Sequence, residues 1–176
     1  VYCVDDGLHT IQKFTLDGGY LGHFGSFGSG QGQLNLPWGI ALDHDCRVYV
    51  ADWRNDRVQA FSPGGEWQAS FGRSGKGVGE FNRPNSVAVD KDGIIYVVDS
   101  MNDRVQILNR DGRHIATLKG DHVLSEWGRD KLAANPDMIS QRALAMAWDP
   151  SGEKSFALPC AVRVDDRNRI AVLDHT

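Results

Sequence analysis

The sequence predicts an all-β fold of the propeller type with about three four-stranded blades, and two observations support this. The stretch from Pro37 to Gly72 recurs from Pro84 to Gly120, with a period of 47 residues. A fixed period of roughly 20–50 residues is typical of solenoids, propellers and other repeat arrays. Each copy also contains four short runs of strand-forming residues separated by turn formers. Four antiparallel strands per repeat indicate one propeller blade.

The four predicted strands of a blade differ in composition. The first two are short apolar runs, the third alternates apolar and polar residues, and the fourth is the most polar. Turn-forming segments such as Pro63–Gly65 and Asp111–Gly112 separate them. We therefore expect each blade to grade from an apolar inner strand to a polar outer one. The predicted strands cover residues 40–43, 47–51, 57–61 and 66–71, and again residues 87–90, 94–98, 104–108 and 113–118.

Partial copies of the repeat flank the two full ones. Residues 1–36 follow the pattern from its second strand onward, and residues 159–174 restart it at the first strand. We expect residues 1–176 to form one partial propeller domain. Each blade of a propeller covers its neighbours, so three blades leave two faces uncovered. We therefore interpret the chain as part of a longer propeller. The alternative is a homodimer in which two copies close one ring.

A segment without counterpart, residues 121–150, precedes the last restart of the pattern. It predicts a short helical insertion. Ser125 is suited to cap a helix over Glu126–Ala134, and Asn135 followed by Pro136 is a second start signal, for a helix over Met138–Ala147. The apolar side chains of these helices are expected to dock on the propeller. The alternative is a helix that binds a partner.

Composition argues against some classes of function. The formal net charge is -4 and the pI is about 5.8, which does not favour nucleic acid as a partner. No apolar run reaches the roughly 18 residues that a membrane-spanning helix needs. The three cysteines, Cys3, Cys46 and Cys160, are expected to be unpaired thiols that fill small gaps.

Two aspartates and an arginine recur in both full copies, as Asp52, Asp56 and Arg57 and as Asp99, Asp103 and Arg104. Two carboxylates near an arginine could serve a catalytic site or bind a cation. One active site does not need the same residues in every blade, however. We therefore predict a structural box, in which the aspartates and the arginine fix the turn between two strands. The first partial copy has Thr10 in place of the arginine.

The candidate binding residues lie in loops that share one face of a propeller. These loops lead into the first strand of a blade or join its second and third strands. Their residues differ between copies while the surrounding frame repeats, as expected for a binding surface built on a scaffold. Exposed tryptophan near arginine and methionine suits a protein or peptide contact. The alternative is that these loops vary without a function. The predicted binding residues are Trp38, Trp53, Arg54, Asn85, Met101 and Asn102.

Three segments of the second full copy carry a family resemblance. They are Gly79–Pro84, Val87–Asp90 and Tyr96–Gln106, with the sequences GEFNRP, VAVD and YVVDSMNDRVQ. Together they resemble the NHL repeat, whose family consists of β-propellers that usually close with six blades. The resemblance covers the chain outside the insertion. It implies the fold more strongly than the function, because the family includes enzymes, ubiquitin-ligase targeting domains and RNA-binding proteins.

Our first hypothesis for function is a non-catalytic scaffold that binds a protein, a peptide or a small ligand. The second is a metal-dependent enzyme similar to peptidyl-amidoglycolate lyases, whose pattern implies histidines after the proline and in place of the box arginine. Those positions here hold Trp38, Asn85 and Cys160, and Arg57 and Arg104. We therefore predict no catalytic residue, no metal ligand and no cofactor; zinc or calcium would belong to the enzyme alternative.

A third hypothesis, RNA binding, is implied by some members of the family that the repeat resembles. It requires a basic stripe across the loop face. The loops between the second and third strands offer Arg54 and little other positive charge. The sequence therefore favours a protein or peptide partner.

Overall fold

Four antiparallel β-sheets stand side by side as consecutive propeller blades in this computed structural model. The structure describes residues 1–120 and 156–175, together with residues 134, 137 and 140. Within these residues lie thirteen strands, and no helix among them is long and apolar enough to cross a membrane. The predicted helical insertion over residues 121–150 lies outside the described residues, apart from the three isolated positions.

The two central blades are complete and have the predicted four strands in sequence order. Their sheets have the orders β4-β5-β6-β7 and β8-β9-β10-β11. Blade 2 comprises β4 (Pro37–Leu42), β5 (Val48–Asp52), β6 (Arg57–Phe61) and β7 (Trp67–Phe71). Blade 3 comprises β8 (Pro84–Val89), β9 (Ile95–Asp99), β10 (Arg104–Leu108) and β11 (His114–Leu118). The predicted fold class is therefore confirmed as a partial β-propeller.

The flanking blades contain fewer strands. Blade 1 holds β1 (Tyr2–Asp5), β2 (Thr10–Phe14) and β3 (Tyr20–Phe24), which take the places of the second to fourth strands. Blade 4 holds β12 (Pro159–Val164) and β13 (Ile170–Asp174), which take the places of the first and second strands.

The first strand of each complete blade begins three residues earlier than predicted, at a proline. Pro37 pairs with Asp52 and Pro84 with Asp99, and in each case the register then shifts before regular pairing resumes. Proline has no N–H to donate to the ladder, so it is tolerated at the first residue of a strand. The shift brings the residue that follows the proline to the loop face.

Each hydrophobic core cluster lies between two adjacent blades. Val48 and Val50 of β5 pack with Ile11, Phe24 and other residues toward blade 1. Tyr49 and Ala51 of the same strand belong to a second cluster with blade 3. A third cluster joins blade 3 to Val162 and its neighbours in blade 4. Successive side chains of a strand point to opposite faces, so one strand serves two cores.

The observed burial differs in one respect from the predicted gradient, in which the first strand of a blade is the most apolar and the fourth the most polar. The second strands β5 and β9 are buried at every residue, whereas the first strand β4 is only partly buried. On β4, the side chains of Trp38 and Leu42 are 52% and 46% exposed. The first strand β8 of blade 3 is mostly buried, because it lies between the first strands β4 and β12 of the neighbouring blades. The strand β4 has such a neighbour on one side only, since blade 1 has no first strand among its described residues.

The first strands of blades 2 and 3 approach each other closely at Gly39. A Cβ atom on this residue would lie 2.6 Å from Ser86 Cα and 2.9 Å from the carbonyl oxygen of Asn85. Only glycine fits beside the backbone of β8 at this point. The contact places Trp38 and Asn85 on neighbouring blades at the same end of the propeller.

Candidate functional site

The loop face predicted to bind a partner, which we call the upper face, is held by a buried aspartate at the end of each second strand. Asp52 and Asp99 are both 0% exposed. Asp99 accepts hydrogen bonds from the backbone N–H of Asn82 at 2.6 Å, from Arg104 Nε at 2.7 Å and from Asn102 Nδ2 at 2.9 Å. Such a number of donors stabilises a buried carboxylate, which would otherwise be costly to remove from water.

The same network recurs in blade 2. Asp52 accepts hydrogen bonds from the backbone N–H of Asn35 at 2.7 Å, from Arg57 Nε at 2.8 Å and from Asn55 Nδ2 at 2.9 Å. The equivalent distances in the two blades differ by no more than 0.1 Å. The aspartate, asparagine and arginine of each complete blade therefore build the same hydrogen-bonded network twice, which we call the frame, rather than a single unique site.

The box arginines extend this frame to the loop between blades. Arg104 donates through its second terminal nitrogen to the carbonyl oxygens of Gly77 and Glu80, at 2.8 and 2.9 Å. Arg57 makes the corresponding bonds to Gly30 and Gln33, both at 2.8 Å. Each guanidinium thus joins a buried carboxylate to the loop that leads into its blade.

Asn102, a predicted binding residue, has its side chain in the frame. Its Nδ2 donates to the carbonyl oxygen of Gly75 and to Asp99 Oδ2, both at 2.9 Å. Asn55 makes the corresponding bonds to Gly28 and Asp52. Each asparagine lies in a single-turn 3-10 helix, Trp53–Asn55 or Ser100–Asn102. The asparagines fix these helical turns, in which the residues directly before them, Arg54 and Met101, are exposed.

The incomplete blades use variations of the same frame. Asp5 of blade 1 accepts from the backbone N–H of Leu8 at 2.9 Å and from Gln12 Nε2 at 3.2 Å, with Thr10 in the arginine position. Asp174 of blade 4 accepts from the backbone N–H groups of Ala157 and Leu158, at 3.0 and 2.8 Å.

The second aspartate of each box occupies a left-handed backbone conformation after the helical turn. Asp56 has φ 52° and accepts a hydrogen bond from the backbone N–H of Arg83 at 2.8 Å. His9, one period earlier, accepts from the backbone N–H of Leu36 through Nδ1 at 3.0 Å. Both residues therefore link consecutive blades.

Asp103, the counterpart of Asp56 in blade 3, has different surroundings. Burial raises the pKa of its carboxyl, and the nearby negative charges of Asp174 and Asp99 raise this pKa further. The junction between blades 3 and 4 thus places carboxyl groups near one another.

Between blades 2, 3 and 4 the upper face contains a cavity of about 330 Å³. Three of its lining residues directly follow the proline of a first strand, and others belong to the helical turns. The Trp38, Met101 and Leu158 side chains are 52%, 57% and 40% exposed there. We call it the upper cavity; its lining residues are Trp38, Trp53, Arg83, Asn85, Ser100, Met101, Leu158, Cys160 and His175.

Two tryptophans and Arg83 form one wall of the upper cavity, and Arg54 lies beside this wall. The rings of Trp38 and Trp53 have centroids 5.2 Å apart and planes inclined by 30°. The guanidinium carbon of Arg83 lies 4.8 Å from the centroid of the Trp53 ring, and that of Arg54 lies 5.7 Å from it. Both distances suit a cation–π interaction.

The opposite wall consists of residues from blades 3 and 4. Asn85 Nδ2 donates to the carbonyl oxygen of Pro159 at 3.5 Å, and Ser100 Oγ donates to the same oxygen. The Oδ1 atom of Asn85 is buried and has no hydrogen-bond partner among the described residues. Cys160 Sγ donates to the carbonyl oxygen of Leu173 at 3.5 Å.

The structure brings four of the six predicted binding residues into the upper cavity: Trp38, Trp53, Asn85 and Met101. Arg54 lies beside the cavity on the Trp53 ring, and the Asn102 side chain belongs to the frame. The sequence reasoning did not single out Arg83 and Leu158. Both directly precede the proline of a first strand, so the repeat alignment contained a signal that could have found them.

No group of three or more histidine, cysteine, aspartate or glutamate side chains in residues 1–120 and 156–175 is arranged to hold a metal ion. The absence of a metal ligand in the whole protein stays a prediction.

Comparison with known proteins agrees with the fold. A family described as 6-bladed beta-propeller matches residues 40–135, which is more than half of the chain. The chain belongs to this 6-bladed beta-propeller family. Its curated relatives include Protein lin-41 of Caenorhabditis elegans, which is 57% identical over 35 residues. That match covers 20% of this chain and 3% of lin-41.

Solved structures of similar fold include two enzymes. A virginiamycin B lyase from Staphylococcus aureus has a TM-score of 0.61 and 10% identity, over 98% of this chain and 44% of the lyase. A gluconolactonase from Xanthomonas campestris has a TM-score of 0.56 and 15% identity, over 96% of this chain and 42% of the gluconolactonase. At this identity the likeness concerns the fold alone. The chain spans less than half the length of either enzyme.

Proposed function

We propose that this propeller is a non-catalytic binding module whose upper cavity receives an apolar part of a protein, a peptide or a small ligand. The observation that carries the proposal is the cavity itself, between blades 2, 3 and 4, with Trp38, Trp53, Met101 and Leu158 around it. Aromatic residues and methionine are enriched at protein interfaces, and tryptophan is frequent among the residues that dominate binding energy.

Exposure of these side chains supports the proposal. More than half of the surface of Trp38 and of Met101 is accessible, although both lie beside other apolar groups. Covering such surface is favourable by about 25 cal/mol per Å² of apolar area. A ligand that fills the upper cavity would gain this contribution from side chains that are already gathered in one place.

The rigid frame below the cavity supports it as well. Trp53 and Met101 stand on helical turns that Asn55 and Asn102 tie to the buried aspartates. A binding surface that is held in place before the ligand arrives loses less conformational entropy on binding. The repeated box thus has a structural role that serves the variable residues above it.

We further propose that the repeats are of the NHL type. The three motifs at Gly79–Pro84, Val87–Asp90 and Tyr96–Gln106 support this. The short match with Protein lin-41 agrees with it. The S. aureus lyase of similar fold was solved with quinupristin.

The test is selection of binding peptides from a random peptide library by the protein, followed by titration of the enriched peptides. We expect peptides rich in apolar side chains, and a loss of affinity of at least about tenfold in Trp38→Ala, because tryptophan truncation at interfaces costs about 2 kcal/mol or more. Tyr20→Ala is the matched control, since Tyr20 is 57% exposed on the outer strand β3. Equal affinity of both variants and the parent would contradict the proposal.

A further inference from the structure

We propose that the upper cavity selects a ligand in which a carboxylate stands next to an apolar group, with Arg83 as the residue that recognises the carboxylate. This inference rests on the proposed binding function of the cavity and adds the chemical class of its ligand. It is carried by the placement of one guanidinium group at an apolar wall.

Arg83 is held in place by three contacts. Its guanidinium carbon lies 4.8 Å from the centroid of the Trp53 ring. One terminal nitrogen donates to the carbonyl oxygen of Arg54 at 3.3 Å, and the backbone N–H donates to Asp56 Oδ1 at 2.8 Å. An arginine side chain that is already ordered loses little entropy when a ligand binds to it.

The positive charge of Arg83 has no partner of opposite charge in the part of the chain that the structure describes. The same holds for Arg54. The box arginines are different, because Arg57 and Arg104 form ion pairs with Asp52 and Asp99 at 2.8 and 2.7 Å. Of these four arginines, the two at the upper cavity are therefore the ones available to an anionic ligand.

Most of the nearby carboxylates accept hydrogen bonds from other groups, and Asp103 lies near Asp174 and Asp99 at the junction of blades 3 and 4. Asp52 and Asp99 are fully buried in the frame. Asp56 accepts the backbone N–H of Arg83, and Asp174 accepts the backbone N–H groups of Ala157 and Leu158. The wall formed by Trp53 and Arg83, with Arg54 beside it, presents positive charge next to apolar surface.

The geometry of the guanidinium favours a carboxylate. Four of the five N–H groups of Arg83 remain for a ligand, and a planar guanidinium bonds a carboxylate through two parallel hydrogen bonds. A nucleic acid strand would need cations along a track. Here the two arginines lie at the same tryptophan ring, so the positive charge is concentrated in one place and does not extend along a track.

The experiment uses two probes that differ only in this group: N-acetyl-phenylalanine, which has a free carboxylate, and N-acetyl-phenylalaninamide, which has none. Binding to the full chain is measured by calorimetry, and the tryptophan indole signals are followed by NMR. We expect the acid to bind at least about tenfold more tightly than the amide, because hydrogen bonds to charged groups are stronger than neutral ones.

Variants then assign the effect to Arg83. We expect Arg83→Gln to remove the preference for the acid, and Arg83→Lys to retain part of it, since lysine keeps the charge and loses the planar fork. Lys91→Gln is the matched control for charge: Lys91 is exposed in the turn between β8 and β9, at the opposite end of β9 from Met101. Thermal unfolding of each variant verifies that it is folded.

Three outcomes would overturn the inference. If acid and amide bind equally and Trp38→Ala weakens both, the ligand need not be anionic and the proposed binding function stands. If neither probe binds, both the inference and the cavity as a binding site for such groups fail. If a single-stranded RNA oligomer binds more tightly than the acid, with an affinity that falls steeply with salt, the cavity belongs to a nucleic acid surface instead.

Discussion

Arg104 donates through Nε to the Asp99 carboxylate at 2.7 Å, and Arg57 donates to Asp52 at 2.8 Å one period earlier. Both aspartates are fully buried and both arginines continue to the loop between blades. In each complete blade, the carboxylate and the guanidinium that could form an active site are therefore bonded to each other and to the backbone. The residues available to a ligand are those of the loops above this frame.

We expect Asp99→Ala to lower the free energy of unfolding by about 3–5 kcal/mol, because it leaves the nearly buried Arg104 charge without its partner. Chemical denaturation measures the change. Asp5→Ala is the control at the equivalent position of blade 1, where the aspartate is less buried and no arginine is paired with it. We expect a smaller loss there, and equal losses for the two variants would contradict this account of the box.

We expect Gly39→Ala to lower the free energy of unfolding by about 1–3 kcal/mol, the usual cost of inserting a methyl group into a packed site. Its new Cβ would lie 2.6 Å from Ser86 Cα, which is backbone and cannot turn aside. In Gly7→Ala the nearest atom would be the side-chain oxygen Asp5 Oδ1 at 3.6 Å, so this control should be near neutral. Thermal or chemical denaturation compares them.

We expect Asp103→Asn to stabilise the protein at neutral pH. Burial, together with the charges of Asp174 and Asp99, raises the pKa of the Asp103 carboxyl above its ordinary value of 3.8. The stability due to its protonated form is complete below about pH 3.8 and is lost as the pH rises through the folded-state pKa. The gain from the substitution should therefore vanish in acid.

The control for Asp103→Asn is Asp56→Asn, one period earlier. Both positions have a left-handed backbone, with φ 50° and 52°, which asparagine tolerates. Asp56 accepts the backbone N–H of Arg83, so its replacement should bring no gain at neutral pH. Denaturation curves of both variants at several pH values measure the difference, and equal gains at pH 7 would contradict the effect of burial and of the neighbouring carboxylates on Asp103.

We expect Tyr96 to resist ionisation in alkali. Burial raises the pKa of its phenol to about 12, and the hydrogen bond that its hydroxyl donates to Asp90 Oδ2 at 2.9 Å contributes. The corresponding stability is present below pH 10 and is lost as the pH rises through about 12.

The variant Tyr96→Phe checks this prediction. It should lower the free energy of unfolding by about 1 kcal/mol at neutral pH and make stability less dependent on pH between roughly 10 and 12. The measurement is a series of denaturation curves in that range, with the exposed Tyr20→Phe as control. An unchanged pH dependence in Tyr96→Phe would contradict the assignment.

The sequence alone determined the blade pattern, because strand-forming runs and turn residues recur at a fixed period. It also identified Asp52, Asp99, Arg57 and Arg104 as repeated residues, and it placed Trp38 and Met101 on one face. The blade pattern and the repeated box depend on contacts between residues close in the chain, and the shared face of Trp38 and Met101 follows from their equivalent loop positions in successive repeats. Between strands that are joined by a short turn, the register follows from the alternation of side chains and from the turn length.

Only the tertiary structure decided which of these residues meet. The side chain of Asn102 bonds to Asp99 in the frame and does not reach the cavity. Arg83, which precedes the first proline of blade 3, lies over the Trp53 ring of blade 2. The upper cavity combines residues of three blades that are far apart in sequence, such as Trp38 and Leu158. The distance in space between such residues depends on how neighbouring blades pack, for example on the close approach of β4 and β8 that Gly39 permits. Packing between blades is a sum of many non-local contacts, and no local pattern in the chain encodes it.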